Sequence, residues 1–212
     1  MYSELIEMPN ICQNLIYLAI PYLCIYATIL ENHKSMKPVS QVLGEYAAYH
    51  RHPLNRMTHY FGIPLIVFSL LLILSIPGFY VGQINISAAD IIITVVIIWY
   101  LFLDTRLGLL SALFILPVLL LAALATSALS GSLVNGVFAF TFIAGWVLQL
   151  LGHRIEKRRP ALVDNFMQVF SAPLFLVSEL VFRFGFRQPL SIHVDEIAQS
   201  KALEMASGVN NR

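Results

Sequence analysis

The chain has 212 residues, of which 58% are hydrophobic and 12% charged, with a formal net charge of +1 and a mean hydropathy of +0.75. Soluble domains carry about 25% charged residues, and half that supply cannot clothe a water-facing surface. The composition therefore excludes an ordinary soluble globule, an intrinsically disordered chain and a nucleic-acid binder with a broad basic field. The two cysteines, Cys12 and Cys24, are too few for a disulfide framework and read as small buried hydrophobes. The opening Met1-Tyr2-Ser3-Glu4 has no basic residue before Lys34, so it does not read as a cleaved signal peptide.

The first predicted element is an apolar segment at 11–30, interrupted by Gln13, Asn14 and Pro21. It reads as an additional N-terminal span, with an interfacial helix as the rival. A helix over about 39–49 follows and ends near His50. Pro53 suits the first position of the next helix, where it has no N–H to lose. The residue before it is pushed out of the α region, which makes His52 the cap. Residues 60–152 form the core of the chain, with only Asp90, Asp104 and Arg106 charged. A helix needs about 20 apolar residues to cross ~30 Å of hydrocarbon. Four spans are thus predicted, at 62–80, 86–103, 107–129 and 133–151, each helical because lipid offers no partner for free backbone groups. Gly78, Gly82, Gly131 and Gly136 read as turns. The loops at 81–85 and 130–132 hold no Lys or Arg. The opposite side holds Lys34, Lys37, Arg51, Arg56, Arg106, Arg154, Lys157, Arg158 and Arg159, which makes it cytoplasmic. In the basic segment 153–187, the apolar piece 170–186 is cut by Pro173, Glu179 and Arg183. It reads as a re-entrant or interfacial amphipathic helix. The polar tail 188–212 reads as a short helix or as disorder. The fold class is an all-α polytopic transmembrane helix bundle, one membrane domain over 1–212, in a bacterial inner membrane or the endoplasmic reticulum.

An even number of core spans returns both flanks to one face, and those flanks hold most of the histidines. His50, His52 and His59 precede the first span, and His153 follows the fourth. His50 and His59 are nine residues apart and would oppose each other on one straight helix; the break at Pro53 is what could turn both toward one centre. Asn55 and His59 share a face, as do Gln149, His153 and Glu156. A His and a Glu at that spacing occur in carboxylate-bridged iron sites inside helix bundles. Imidazoles with oxygen ligands suit iron, zinc or copper. Hydrogen bonding between neighbouring helices competes with a metal for these histidines. Headgroup contact competes with a carboxylate clamp for Arg154 and Arg158.

Tyr49-His50, Asn55, His59 and Pro64, followed by Gly152-His153, Glu156 and Arg159-Pro160-Ala161-Leu162-Val163-Asp164-Asn165, resemble the Mpo1-like family over about residues 40–187. The resemblance implies a polytopic membrane enzyme, an iron(II)-dependent dioxygenase that shortens a 2-hydroxy fatty acid by one carbon and releases carbon dioxide. It places Fe(2+) on His50, His59 and His153, with His52 or Glu156 as an additional ligand. Arg154 or Arg158 would neutralise the substrate carboxylate. Asn55, Gln149 and Asp164 would orient imidazoles or bound water, in competition with capping and interhelix bonding. The acyl chain would lie against Phe61, Phe68, Trp99, Phe102 and Trp146, whose other use is plain helix packing. The partners implied are a 2-hydroxy fatty acid, dioxygen and membrane lipid, with the metal on the cytoplasmic face. The competing function is a non-catalytic lipid-binding, membrane-shaping or transport-related membrane protein. A two-iron oxidase would need more histidines than the six present, and a bis-histidine haem would announce itself in the visible spectrum.

Overall fold

The computed structural model describes residues 37–157 and 167–207, and from Pro38 onward they belong to one compact unit. The apolar segment at 11–30, Arg158 and Asp164 lie outside the described residues. Seven helices and one hairpin are seen: α1 (Val39–Ala48), α2 (Pro53–Leu74), β1 (Gly78–Val81), β2 (Ile84–Ser87), α3 (Ala88–Leu103), α4 (Thr105–Ala128), α5 (Gly131–Glu156), α6 (Gln168–Arg183) and α7 (Gln188–Ser207). The chain is an all-α membrane bundle. Helices α2, α4 and α5 are long and apolar enough to cross a bilayer, and α3 is a shorter apolar helix.

The helix boundaries follow from their caps. Pro53 opens α2, and the His52 side chain accepts the amide of Leu54. Ser87 and Asp90 form a reciprocal capping box at the start of α3. Asp104 ends α3 and caps α4 by accepting the Leu107 amide at 3.0 Å. Lys157, at φ +56°, ends α5 in the left-handed conformation.

Three expectations are corrected. The first span begins nine residues before position 62 and ends at Leu74. The polar residues from Pro53 to Phe61 are the opening turns of the spanning helix itself, so His59 stands on it. Residues 78–87, partly assigned to spans from their hydropathy, form an antiparallel hairpin. Gly82 turns it at φ +62°, and Phe79, Tyr80, Val81 and Ile84 are exposed. Gly136 lies inside α5 and makes no turn.

Helices α2 and α5 pack closely, and glycine makes it possible. A Cβ on Gly145 would stand 2.7 Å from Ile66 Cγ1 and 3.1 Å from the Gly62 carbonyl. A Cβ on Gly152 would overlap Asn55 Oδ1 and Thr58 Oγ1. Small residues at a crossing let backbones approach, the usual means of helix association in lipid.

Helix α6 packs against α1, α2 and α4. Leu174, Phe175, Leu176, Val177 and Ser178 are all buried. Five consecutive helical residues sweep the whole circumference at about 100° each, so the middle of α6 is enclosed by protein rather than presented as an amphipathic face. Tyr100 on α3 donates its hydroxyl hydrogen to the Phe170 carbonyl at the start of α6. The tail is a 20-residue helix, α7. Its Val194, Ala198 and Ala202 recur every fourth position and are buried, and it packs along α1 where Gly44 meets Ile197. Arg187, at φ +57°, joins α6 to α7 and holds Asp104 through two hydrogen bonds of 2.7 and 3.3 Å.

Candidate metal centre

Each histidine of the cluster is placed by a different helix. His50 follows the last turn of α1, His59 sits in the second turn of α2, and His153 lies near the end of α5. All three are buried, at 1%, 3% and 6% exposure. Each offers one nitrogen, and these nitrogens lie within 4.8 Å of one another. His50 Nδ1 faces the Tyr46 carbonyl at 2.7 Å, and His59 Nδ1 faces the Asn55 carbonyl at 2.8 Å. A carbonyl can only accept, so both Nδ1 atoms carry the hydrogen and both Nε2 atoms present lone pairs. Those two Nε2 atoms face each other at 3.0 Å.

Two lone pairs at that distance repel unless a proton or a metal ion lies between them. A proton is disfavoured: burial, and then the neighbouring His59, hold the His50 ring well below its ordinary basicity. His153 Nδ1 is also buried and has no hydrogen-bond partner among the described residues. Three neutral imidazoles converging on one point, with an orphaned ring nitrogen beside two facing lone pairs, fit a metal ion. The hydrogen bonds at Nδ1 orient the rings and strengthen their donor nitrogens. The His50 ring also stacks on Tyr46 at 4.2 Å.

The corner between α1 and α2 is held from across the bundle. Glu156, three residues beyond His153, accepts the amides of Arg51 at 3.1 Å and His52 at 2.7 Å. It also accepts Asn55 Nδ2 at 3.2 Å. Asn55 is fully buried and donates as well to the Tyr49 carbonyl at 3.3 Å. Arg56 completes the corner, donating from Nε to the His50 carbonyl at 2.7 Å and from Nη1 to Glu179 on α6 at 2.9 Å. Glu156 and Asn55 thus fix the turn that carries His50 against the helix that carries His153.

The predicted residues sort by position. His50, His59 and His153 come together, and Gln149 is buried beside them. His52 is exposed and its ring caps α2, and the Glu156 carboxylate is engaged by the corner; neither belongs to the three-nitrogen cluster. Arg154 is exposed. A cavity opens beside the cluster, lined on α2 by Ile63, Ile66, Val67 and Leu70 and on α5 by Trp146, Gln149 and Leu150. Of the five aromatic residues expected along an acyl chain, Trp146 lines it; Phe61 and Phe102 are exposed, and Phe68 and Trp99 pack against the core. Sequence reasoning missed Tyr46, Arg56, Glu179 and Gln168. Tyr46 is four residues before His50, a spacing that shares a helix face and could have been read. Gln168, in the cavity wall, carries no such signal.

Comparison with known proteins gives the family. The family model described as 2-hydroxy-palmitic acid dioxygenase Mpo1-like matches residues 36–184. The chain is 33% identical over 161 residues to the 2-hydroxy-palmitic acid dioxygenase MPO1 of Saccharomyces cerevisiae, covering 75% of this chain and 88% of that protein. No solved structure matches. A trio of buried histidines, and a match that spans every helix supplying one, make this chain a member of the Mpo1-like family.

Proposed function

We propose that this protein is a membrane-embedded, iron(II)-dependent dioxygenase that shortens 2-hydroxy fatty acids by one carbon. The observation that carries the reading is the pair of facing Nε2 lone pairs of His50 and His59, 3.0 Å apart with His153 beside them. The relative's name, a 2-hydroxy-palmitic acid dioxygenase, supplies the substrate class. The conversion takes a 2-hydroxy acid and dioxygen to the acid one carbon shorter, carbon dioxide and water, and it balances with no external reductant.

His50, His59 and His153 would hold the iron, which when bound supplies the one-electron and oxygen chemistry that these side chains lack. The backbone carbonyls of Tyr46 and Asn55 keep both Nδ1 hydrogens in place, so the rings stay neutral and donate through Nε2. Glu156 and Asn55 hold the α1–α2 corner so that the imidazoles meet without rearrangement. The aliphatic wall of α2 accommodates the hydrocarbon tail and excludes water. The basic flanks support a cytoplasmic position for this end of the bundle.

Elemental analysis and oxygen uptake on the purified full chain test the reading. One iron per chain and oxygen consumption with 2-hydroxypalmitate are expected, both abolished in His50→Ala, His59→Ala and His153→Ala. Full iron in all three variants would refute the site. A wild-type protein with no stoichiometric metal and no oxygen uptake would instead be a lipid-binding or transport-related membrane component.

A further inference from the structure

Gln168 and Val169, the first two residues of α6, line the cavity that His50, His59 and His153 also face. Gln168 is 7% exposed, and its Oε1 is buried with no hydrogen-bond partner among the described residues. Such an atom is costly to leave alone, and proteins keep one chiefly where a ligand or water completes it. The preceding Met167 gives α6 no side-chain cap. The amides of Gln168 and Val169, the first two of α6, stand at the positive end of its dipole, which suits an anion. Trp146 on α5 also lines the cavity, and its Nε1 is buried without a hydrogen-bond partner among the described residues. Ile63, Ile66, Val67 and Leu70 give the cavity an aliphatic lining. A cavity that joins a few polar groups to an aliphatic lining matches an acid with a hydrocarbon tail.

We propose that Gln168 and the N-terminal turn of α6 receive the head of the 2-hydroxy acid. Gln168 Oε1 accepts the hydrogen of the 2-hydroxyl, the carboxylate faces the amides of Gln168 and Val169, and the tail runs along α2. This rests on the function proposed above and adds a substrate contact outside the three histidines. Gln168 is then a specificity-determining residue. An unsubstituted fatty acid has no 2-hydroxyl hydrogen to give and leaves the buried oxygen unpaired, which a site built around a hydroxyl rejects. The exposed Arg154 is not needed to meet the carboxylate.

The test is direct binding to the full chain in lipid nanodiscs, followed by Trp146 fluorescence in a Trp99→Phe background, with metal content measured alongside. The background protein is expected to bind 2-hydroxypalmitate about tenfold more tightly than palmitate. Gln168→Leu should erase that preference with metal content and thermal midpoint unchanged. Gln168→Glu should weaken both acids by charge repulsion, and Gln168→Asn should restore part of the preference. If Gln168→Leu and Gln168→Glu both keep the affinity and the preference of the background protein, the assignment of the head group is overturned while the function stands. If the background protein binds neither acid, the proposed function fails and takes this contact with it.

Discussion

At the scale of single residues, chemistry and support are separable. Glu156 stands one turn from His153, where a carboxylate invites reading as a metal ligand. In the structure it gathers the amides of Arg51 and His52 and the amide group of Asn55. Losing such a support lowers metal affinity by about 10–100-fold. Glu156→Ala should therefore weaken metal binding by that order in a metal titration, whereas Glu156→Gln, which can still accept these amides in part, should lose less. His52→Ala should cost about 1 kcal/mol, the usual worth of a helix cap, and leave metal content intact. A loss of metal in that variant would return His52 to the ligand set. The histidines were legible because Pro53 advertises a break that reconciles a nine-residue spacing with one centre. The partners of Glu156 were not, because the amides of a turn leave no mark in side-chain identity. Gln168 was invisible for a related reason: a polar residue at the start of an apolar run looks like any helix boundary.

At the scale of elements, hydropathy located the spanning region and misjudged its edges. The segment 53–61 is too polar to score as a span, yet it continues the helix because Pro53 starts it and nothing before Leu74 stops it. Phe79, Tyr80 and Val81 score as apolar, yet they belong to a hairpin that Gly82 closes. Average hydropathy carries no information about which hydrogen bonds a backbone makes. The seam between α2 and α5 is equally silent in composition, since a glycine reads first as a turn. Gly152→Ala should force Asn55 and Thr58 away from α5 and cost about 1–3 kcal/mol, typical of overpacking. It should lower the thermal midpoint and metal affinity together, because Asn55 bonds Glu156. An unchanged midpoint would mean that the two helices can part without cost. By contrast Gly136→Ala, where a Cβ meets open space, should be neutral or mildly stabilising on helix propensity.

At the scale of the whole molecule, Asp104 and Arg187 fasten the α3–α4 corner to the α6–α7 corner. Burial pushes the Asp104 carboxyl up, but the hydrogen bonds from Arg187 and the Leu107 amide outweigh it and hold the group below its ordinary value. A carboxyl with a depressed folded value contributes stability that is complete above its unfolded value and is lost as pH falls through the folded one. The midpoint should therefore decline below about pH 4, and Asp104→Asn should flatten that decline while lowering the neutral-pH midpoint. An acid limb that persists unchanged in Asp104→Asn would assign it to other carboxylates.

The facing imidazoles of His50 and His59 have one more consequence. A chain that completes its fold before capturing an ion must hold two electron-rich nitrogens in contact, and releasing the His50 end of α1 would relieve them. Stripping the purified chain of metal with a chelator should then speed proteolysis at residues 49–52, and restoring the ion should slow it again; a cleavage rate indifferent to metal would mean that the two rings settle without the corner opening.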